Sequence, residues 1–219
     1  MDNPDRHRFL ADLGVDMRAI LHGGQRFQYH AQAYAGDTLT FWTEVTDVYD
    51  KKGGALDFIV RDTHVSRDGA PHRDTDQHHR RPRPEGCRMN TAYLTAGDSF
   101  SLDCPTITRT TLALYAGASG DHNPVHIDID ACRAVGIEDV FAHGMLSMAY
   151  LGRLLTATFP LDRLRCFDVR FTAITPVNTT PTCTGTVAKV EDGLAHLDLT
   201  VALPDGTVTL SGTAVVTTH

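Results

Sequence analysis

The stretch of this chain richest in reactive side chains is YAGASGDHNPVHID, residues 115–128, where Asp121, Asn123 and His126 fall within six positions. A carboxylate and an imidazole that face one space can hold a water between them, one taking its proton while the other supplies or relays one. Asp121 and His126 are five positions apart, which on an ideal helix sets them about 140° from each other, and Pro124 breaks a helix in any case. A turn must bring them together. The competing reading is structural: Asp121 and Asn123 cap the turn after a helix, and His126 is a satisfied, half-buried histidine.

A second group follows at Ala142, His143, Gly144 and Met145, where a long apolar run begins. A glycine at a helix start leaves a backbone N–H, at the positive end of the helix dipole, open to a substrate oxygen. Such a donor is one half of an oxyanion hole waiting for a carbonyl. Close helix packing explains Gly144 equally well, and it also covers Ala149 and Gly152. It is the combination with Asp121 and His126 that points to chemistry.

These residues need elements to hold them. The run FAHGMLSMAYLGRLLTATF, residues 141–159, is apolar nearly all round and reads as a buried helix. Ahead of it come a strand from residue 98, a helix from about Arg109 to Ala118 with Leu112, Tyr115 and Ala116 on one side, and a short helix from Asp130 to Val135. Behind it, LRCFDVRFTAIT, TPTCTGTVAKV, LAHLDLTVAL and TVTLSGTAVV alternate as strands between Pro, Asn, Asp and Gly turns. The fold class expected is α+β, one long central helix wrapped by an antiparallel sheet.

The first half is built differently. Residues 5–21 space Phe9, Leu13, Met17 and Ile20 as one short helical stripe, and residues 25–66 read as three antiparallel strands. Laying the turn at Lys52, Gly53 and Gly54 on Glu191, Asp192 and Gly193 aligns the two strand meanders as an internal repeat. The division expected is an incomplete N-terminal module at 1–68, a polar linker at 69–96 and a complete module at 97–219. In the linker, His72, His78 and His79 fit no compact metal-ligand spacing, and no metal is expected. Arg80, Arg81, Arg83 and Arg88 offer charge to a phosphate, though a solvated run is the plainer reading.

With 27 acidic against 20 basic residues the net charge is -7, so the chain repels polyanions and nucleic acid is not expected as a partner. No apolar run reaches the length of a bilayer span. Five scattered cysteines, Cys87, Cys104, Cys132, Cys166 and Cys183, and a polar N-terminus lead to reduced thiols and a cytoplasmic chain as expectations.

From about Gly97 to Val216 the sequence resembles the MaoC-like, (R)-specific enoyl-CoA hydratases and dehydratases of the hot-dog fold. The likeness rests on Tyr115, Gly120-Asp121-His122-Asn123-Pro124-Val125-His126 and His143-Gly144-Met145. It implies that Asp121 and His126 are the catalytic pair and that Gly144 donates its N–H to the thioester oxygen. Asn123, Tyr115, His143 and Met145 are the residues expected to contact substrate, and no cofactor is expected. The implied reaction is hydration of a 2-enoyl thioester, on CoA or an acyl carrier protein, to the 3-hydroxyacyl thioester, or the reverse. The first half resembles the non-catalytic module of fused double hot-dog members, without their long helix, and Gly152 stands where some members carry a hydroxyl facing the acyl thioester. Two other readings stand beside this one: a non-catalytic acyl-binding subunit of a dehydratase complex, and a hot-dog thioesterase. Phe27, Tyr29, Leu39, Phe41, Val45, Phe58 and Val60 form an apolar face that calls for a homodimer or a related subunit.

Overall fold

The computed structural model describes residue 14 and residues 20–54, 56–67 and 94–218. Most of the helix expected at 5–21, nearly all of the polar tract 69–96 with its histidines and arginines, and Cys87 lie outside the described residues.

Alternating burial makes the strands. In β7 (Leu194–Ala202), Ala195, Leu197, Leu199 and Val201 are buried while the residues between them reach solvent. The same period runs through β6 (Thr182–Glu191), β5 (Leu164–Phe171) and the end of β8 (Val208–Thr217). With β1 (Gly24–Gln28) and β4 (Ser99–Asp103) they form one antiparallel six-stranded sheet in the order β1-β5-β8-β7-β6-β4. Phe100 on β4 faces Gly185 on β6 in register, and a Cβ at 185 would run into its ring. The glycine therefore lets the aromatic lie flat across the sheet.

Among the described residues three α-helices accompany the sheet: α1 (Arg109–Ser119), α2 (Ile129–Ala134) and α3 (Gly144–Thr158). α3 packs on β6, β7 and β4, burying Leu146, Leu151, Leu154 and Leu155 against the alternating side chains of the strands. Each such leucine contributes about 2 kcal/mol on burial, and cutting one back to alanine costs about 2–5 kcal/mol because α3 cannot collapse onto the cavity left behind.

Two features of α3 depart from the expectation of a buried helix over 141–159. It begins only at Gly144, because Phe141 bridges to Pro176 and the Ala142 N–H is held by the Thr175 carbonyl at 2.9 Å. And it is not buried all round: Ala149, Arg153 and Ala157 reach solvent along one side. Small and amphipathic residues had read as core where they line a surface.

The three strands expected in the first half are also arranged differently. β2 (Leu39–Lys51) and β3 (Leu56–Arg67) form an antiparallel hairpin of their own, whereas β1 pairs antiparallel with β5. The register of this pairing is symmetric under the repeat. On the alignment that lays Lys52 on Glu191, Phe27 falls on Cys166 and Gln28 on Phe167, and the register joins Phe27 to Phe167 and Gln28 to Cys166. Equivalent strands thus exchange partners as two copies do about a two-fold axis. The aligned hairpin turns agree too: Gly53 and Gly54 have φ of 65° and 86°, against 49° and 74° at Asp192 and Gly193, the left-handed pair that a tight hairpin demands.

Candidate active site

Local rules build the site from the end of α1. Thr108 opens that helix with a capping box to Thr111, and Gly120, left-handed at φ 71°, closes it with its N–H on the Ala116 carbonyl. The chain reverses there, so Asp121 follows the helix at once. Its N–H is held by Ser119 Oγ at 3.2 Å, and its carboxylate Oδ1 accepts from the Asn123 N–H at 3.3 Å. Asn123 in turn caps the 3-10 turn at Pro124–His126, its Oδ1 accepting from the Val125 N–H, while its Nδ2 donates to the Ile20 carbonyl. Proline at the first position of that turn has no N–H to lose.

This path carries His126 into the core, where it is 5% exposed. Its Nδ1 lies 2.9 Å from the Phe141 carbonyl. A carbonyl only accepts, so Nδ1 carries the proton and Nε2 keeps a free lone pair. Burial, reinforced by the neighbouring His143, pushes the His126 imidazole down to about 4, although the Phe141 carbonyl and Asp121 pull the other way. At neutral pH it is a neutral base.

His143 caps α3 and is wholly buried, with its ring 4.0 Å from that of His126 and 4.9 Å from that of Tyr115. Its Nε2 donates to the Asp121 carbonyl at 3.1 Å, tying the start of α3 to the turn. Its Nδ1 is a buried acceptor with no hydrogen-bond partner among the described residues. Burial also pushes the His143 imidazole down, while its bond to Asp121 pulls it up. The Tyr115 hydroxyl is pushed up by burial and by the nearby Asp121.

Asp121, His126 and His143 bring one donor atom each within 4.8 Å of one another. Two imidazoles and a carboxylate are a set that can hold a divalent cation, although one nitrogen of each ring is already engaged by a carbonyl. The sequence did not single out this trio as a set, because His143 lies far from the D-x-N-P-x-H stretch along the chain. The only signal was its place directly before Gly144.

Gly144 is the first residue of α3, so its N–H has no partner inside the helix. A Cβ there would come 3.1 Å from the Phe171 ring, a tight contact to which that ring would have to yield, so close packing favours the glycine independently of any donor role. Of the four residues expected to contact substrate, Tyr115 and Met145 line a cavity of about 400 Å³ that runs along α3. The hydrogen-bonding groups of Asn123, and Nε2 of His143, are turned instead to the backbone they hold. The described cysteines, Cys104, Cys132, Cys166 and Cys183, are free thiols. No described helix is long and apolar enough to cross a membrane.

Comparison with known proteins adds a family to this geometry. Residues 95–203 match the family described as MaoC like domain, and residues 1–75 match the FAS1-like, dehydratase domain region. The chain is 31% identical over 119 residues to 3-hydroxyacyl-thioester dehydratase Z of Mycobacterium tuberculosis, a match covering 51% of this chain and 77% of that protein. It is 36% identical over 64 residues to an (R)-specific enoyl-CoA hydratase of Rhodospirillum rubrum, covering 29% of this chain and 44% of the other. A solved structure described as a MaoC-like dehydratase superposes with a TM-score of 0.79 at 20% identity, over 97% of this chain and 79% of its own. The fold is the α+β hot-dog fold expected from the sequence.

Proposed function

Since the chain belongs to the MaoC-like dehydratase family, we propose that it is a hydro-lyase interconverting 2-enoyl and (R)-3-hydroxyacyl thioesters, carried on CoA or an acyl carrier protein. The observation that carries this reading is the neutral His126, its Nδ1 spent on a carbonyl, in one cluster with the Asp121 carboxylate. In the dehydration direction Nε2 of His126 takes the proton from C2, and the electrons of that bond pass through the thioester enolate to form the double bond. The C3–O bond breaks, and the proton leaves on the departing oxygen as water held by Asp121. Hydration is the reverse. Negative charge on the thioester oxygen is met by the Gly144 N–H, a donor of a kind worth about 3 kcal/mol in comparable sites. Tyr115 and Met145 contact the acyl group, while Asn123 and His143 act through the turn that they hold.

The module at 97–219 carries the reaction in this reading. The module at 1–68 is an incomplete hot-dog copy joined to it by 69–96, and a second copy or a related subunit completes the assembly in the cytoplasm. The test follows the conjugated absorbance of a panel of 2-enoyl-CoA thioesters with the full chain, beside Asp121→Asn and His126→Ala. Both variants should lose at least a hundredfold in kcat with their circular dichroism unchanged. Near-wild-type turnover in either rejects the catalytic pair. Release of a free thiol without loss of the chromophore identifies a thioesterase instead.

A further inference from the structure

Two hydrogen bonds tie the segment ahead of β1 to the site. The Ile20 carbonyl accepts from Asn123 Nδ2 at 3.3 Å, in the turn that carries His126, and the Gly23 carbonyl accepts from the Phe171 N–H at 3.2 Å, at the end of β5. Gly24 then enters β1 opposite Arg170, where a Cβ would meet the Val169 carbonyl at 2.9 Å, so glycine is what lets the segment lie this close to β5. Between the two anchors stands His22.

Its imidazole reaches solvent, yet it is not a free surface group. The ring centroid lies 6.2 Å from that of Phe171 with the planes tilted by 57°, the arrangement of a favourable aromatic pair. Phe171 is the same ring that an added Cβ at Gly144 would meet at 3.1 Å, so one aromatic joins His22 to the first residue of α3. A positive charge on His22 also opposes protonation of both His126 and His143, so its field reaches both imidazoles of the cluster. Exposed as it is, His22 adds little to the core. What its contact fixes is the Phe171 ring.

We propose that His22 is a positioning residue of the active site, supplied by the first half of the chain: it holds the Phe171 ring against the start of α3 and so fixes the Gly144 N–H where the thioester oxygen must sit. This rests on the function proposed above. The contribution is one of geometry, because moving a group of the site by about 1 Å can cost about a hundredfold in rate. The backbone anchors at Ile20 and Gly23 remain when the side chain at 22 is changed, so the imidazole can be tested apart from the segment that carries it.

The test measures kcat and KM on a 2-enoyl-CoA with the full chain for the wild type, His22→Ala and His22→Phe, and repeats His22→Ala in a Phe171→Leu background. The amide resonance of Gly144 in isotope-labelled protein gives a readout that needs no turnover. His22→Ala should lower kcat by about fivefold or more with KM within about twofold, since the donor acts most strongly in the transition state. His22→Phe keeps a ring against Phe171 and should recover to within about twofold of the wild type. In the Phe171→Leu background His22→Ala should cost less than about twofold more, because the ring it acts through is gone. The Gly144 resonance should shift in His22→Ala and return toward its wild-type position in His22→Phe. An unchanged kcat in His22→Ala, a change in KM alone, no recovery with phenylalanine, or an equal loss with and without Phe171 overturns the proposal. If the wild type turns over no enoyl thioester while the resonance moves with His22 as stated, the reaction is wrong and the positioning stands. A resonance that stays in place overturns the positioning itself.

Discussion

A single imidazole shows how position sets chemistry in this protein. His126 titrates near 6.5 in an unfolded chain and down at about 4 when buried beside His143. As pH falls from 6.5 toward 4, the unfolded chain therefore binds the proton first. The stability held in full above 6.5 declines through that window. Between pH 7 and pH 5 the loss from this one group is about 2 kcal/mol. Urea unfolding at the two pH values should show a smaller difference for His126→Gln than for the wild type. An equal pH dependence in both would mean that the buried ring is not neutral. Gly144 makes a second case, because two demands coincide on it. Gly144→Ala keeps the N–H but brings a Cβ to 3.1 Å from the Phe171 ring, so any loss of stability it causes should be recovered by Phe171→Leu. The double change Gly144→Pro with Phe171→Leu removes the donor while giving the added ring room, and it should lower kcat with KM little altered. If only KM moves, the oxyanion role is wrong.

At the scale of elements, α3 carries three tasks on three of its faces and ends. Its leucines close the core over β6 and β7, its first residue presents the donor, and its open side from Met145 to Thr156 lines the cavity. Only the first of these is about stability. Gly152→Ala should accordingly raise the unfolding free energy by about 0.5–1 kcal/mol, measured by thermal or urea denaturation. A destabilised variant would mean that packing at this position is tighter than 3.9 Å to Phe167 implies. The elements feeding the site obey local rules throughout: a threonine capping box starts α1, a left-handed glycine ends it, and an asparagine and a proline start the next turn. That is why Asp121 and His126 were legible as a pair before any tertiary contact was known. The meander repeat was legible for the same reason, since its turns depend on glycines that local geometry demands.

At the scale of the whole molecule, the hairpin of β2 and β3 presents Phe41, Trp42, Val45 and Val48 at 43–65% exposure, more apolar surface than an isolated chain comfortably leaves wet. The purified chain should therefore scatter light as a dimer or larger at micromolar concentration, or require a related subunit for activity. A fully active monomer would remove the need for a partner. Phe27 and Tyr29, counted with that face in the sequence, instead line the cavity beside α3. Period and turn chemistry, carried within a few neighbouring residues, were enough to read the strands, the long helix, the D-x-N-P-x-H turn and the glycine at the helix start from the sequence alone, and the resemblance carried by those motifs added the hot-dog fold. Contacts between distant segments decided the rest. Pairing of β1 with β5 depends on which edge strand a short segment meets, and local pattern does not encode that choice. The neutral state of His126 depends on its burial and on the His143 ring beside it, and a carbonyl fifteen positions away fixes which nitrogen carries the proton. The openness at Gly152 depends on how far Phe167 stands off, a distance that exists only once helix and sheet are packed together.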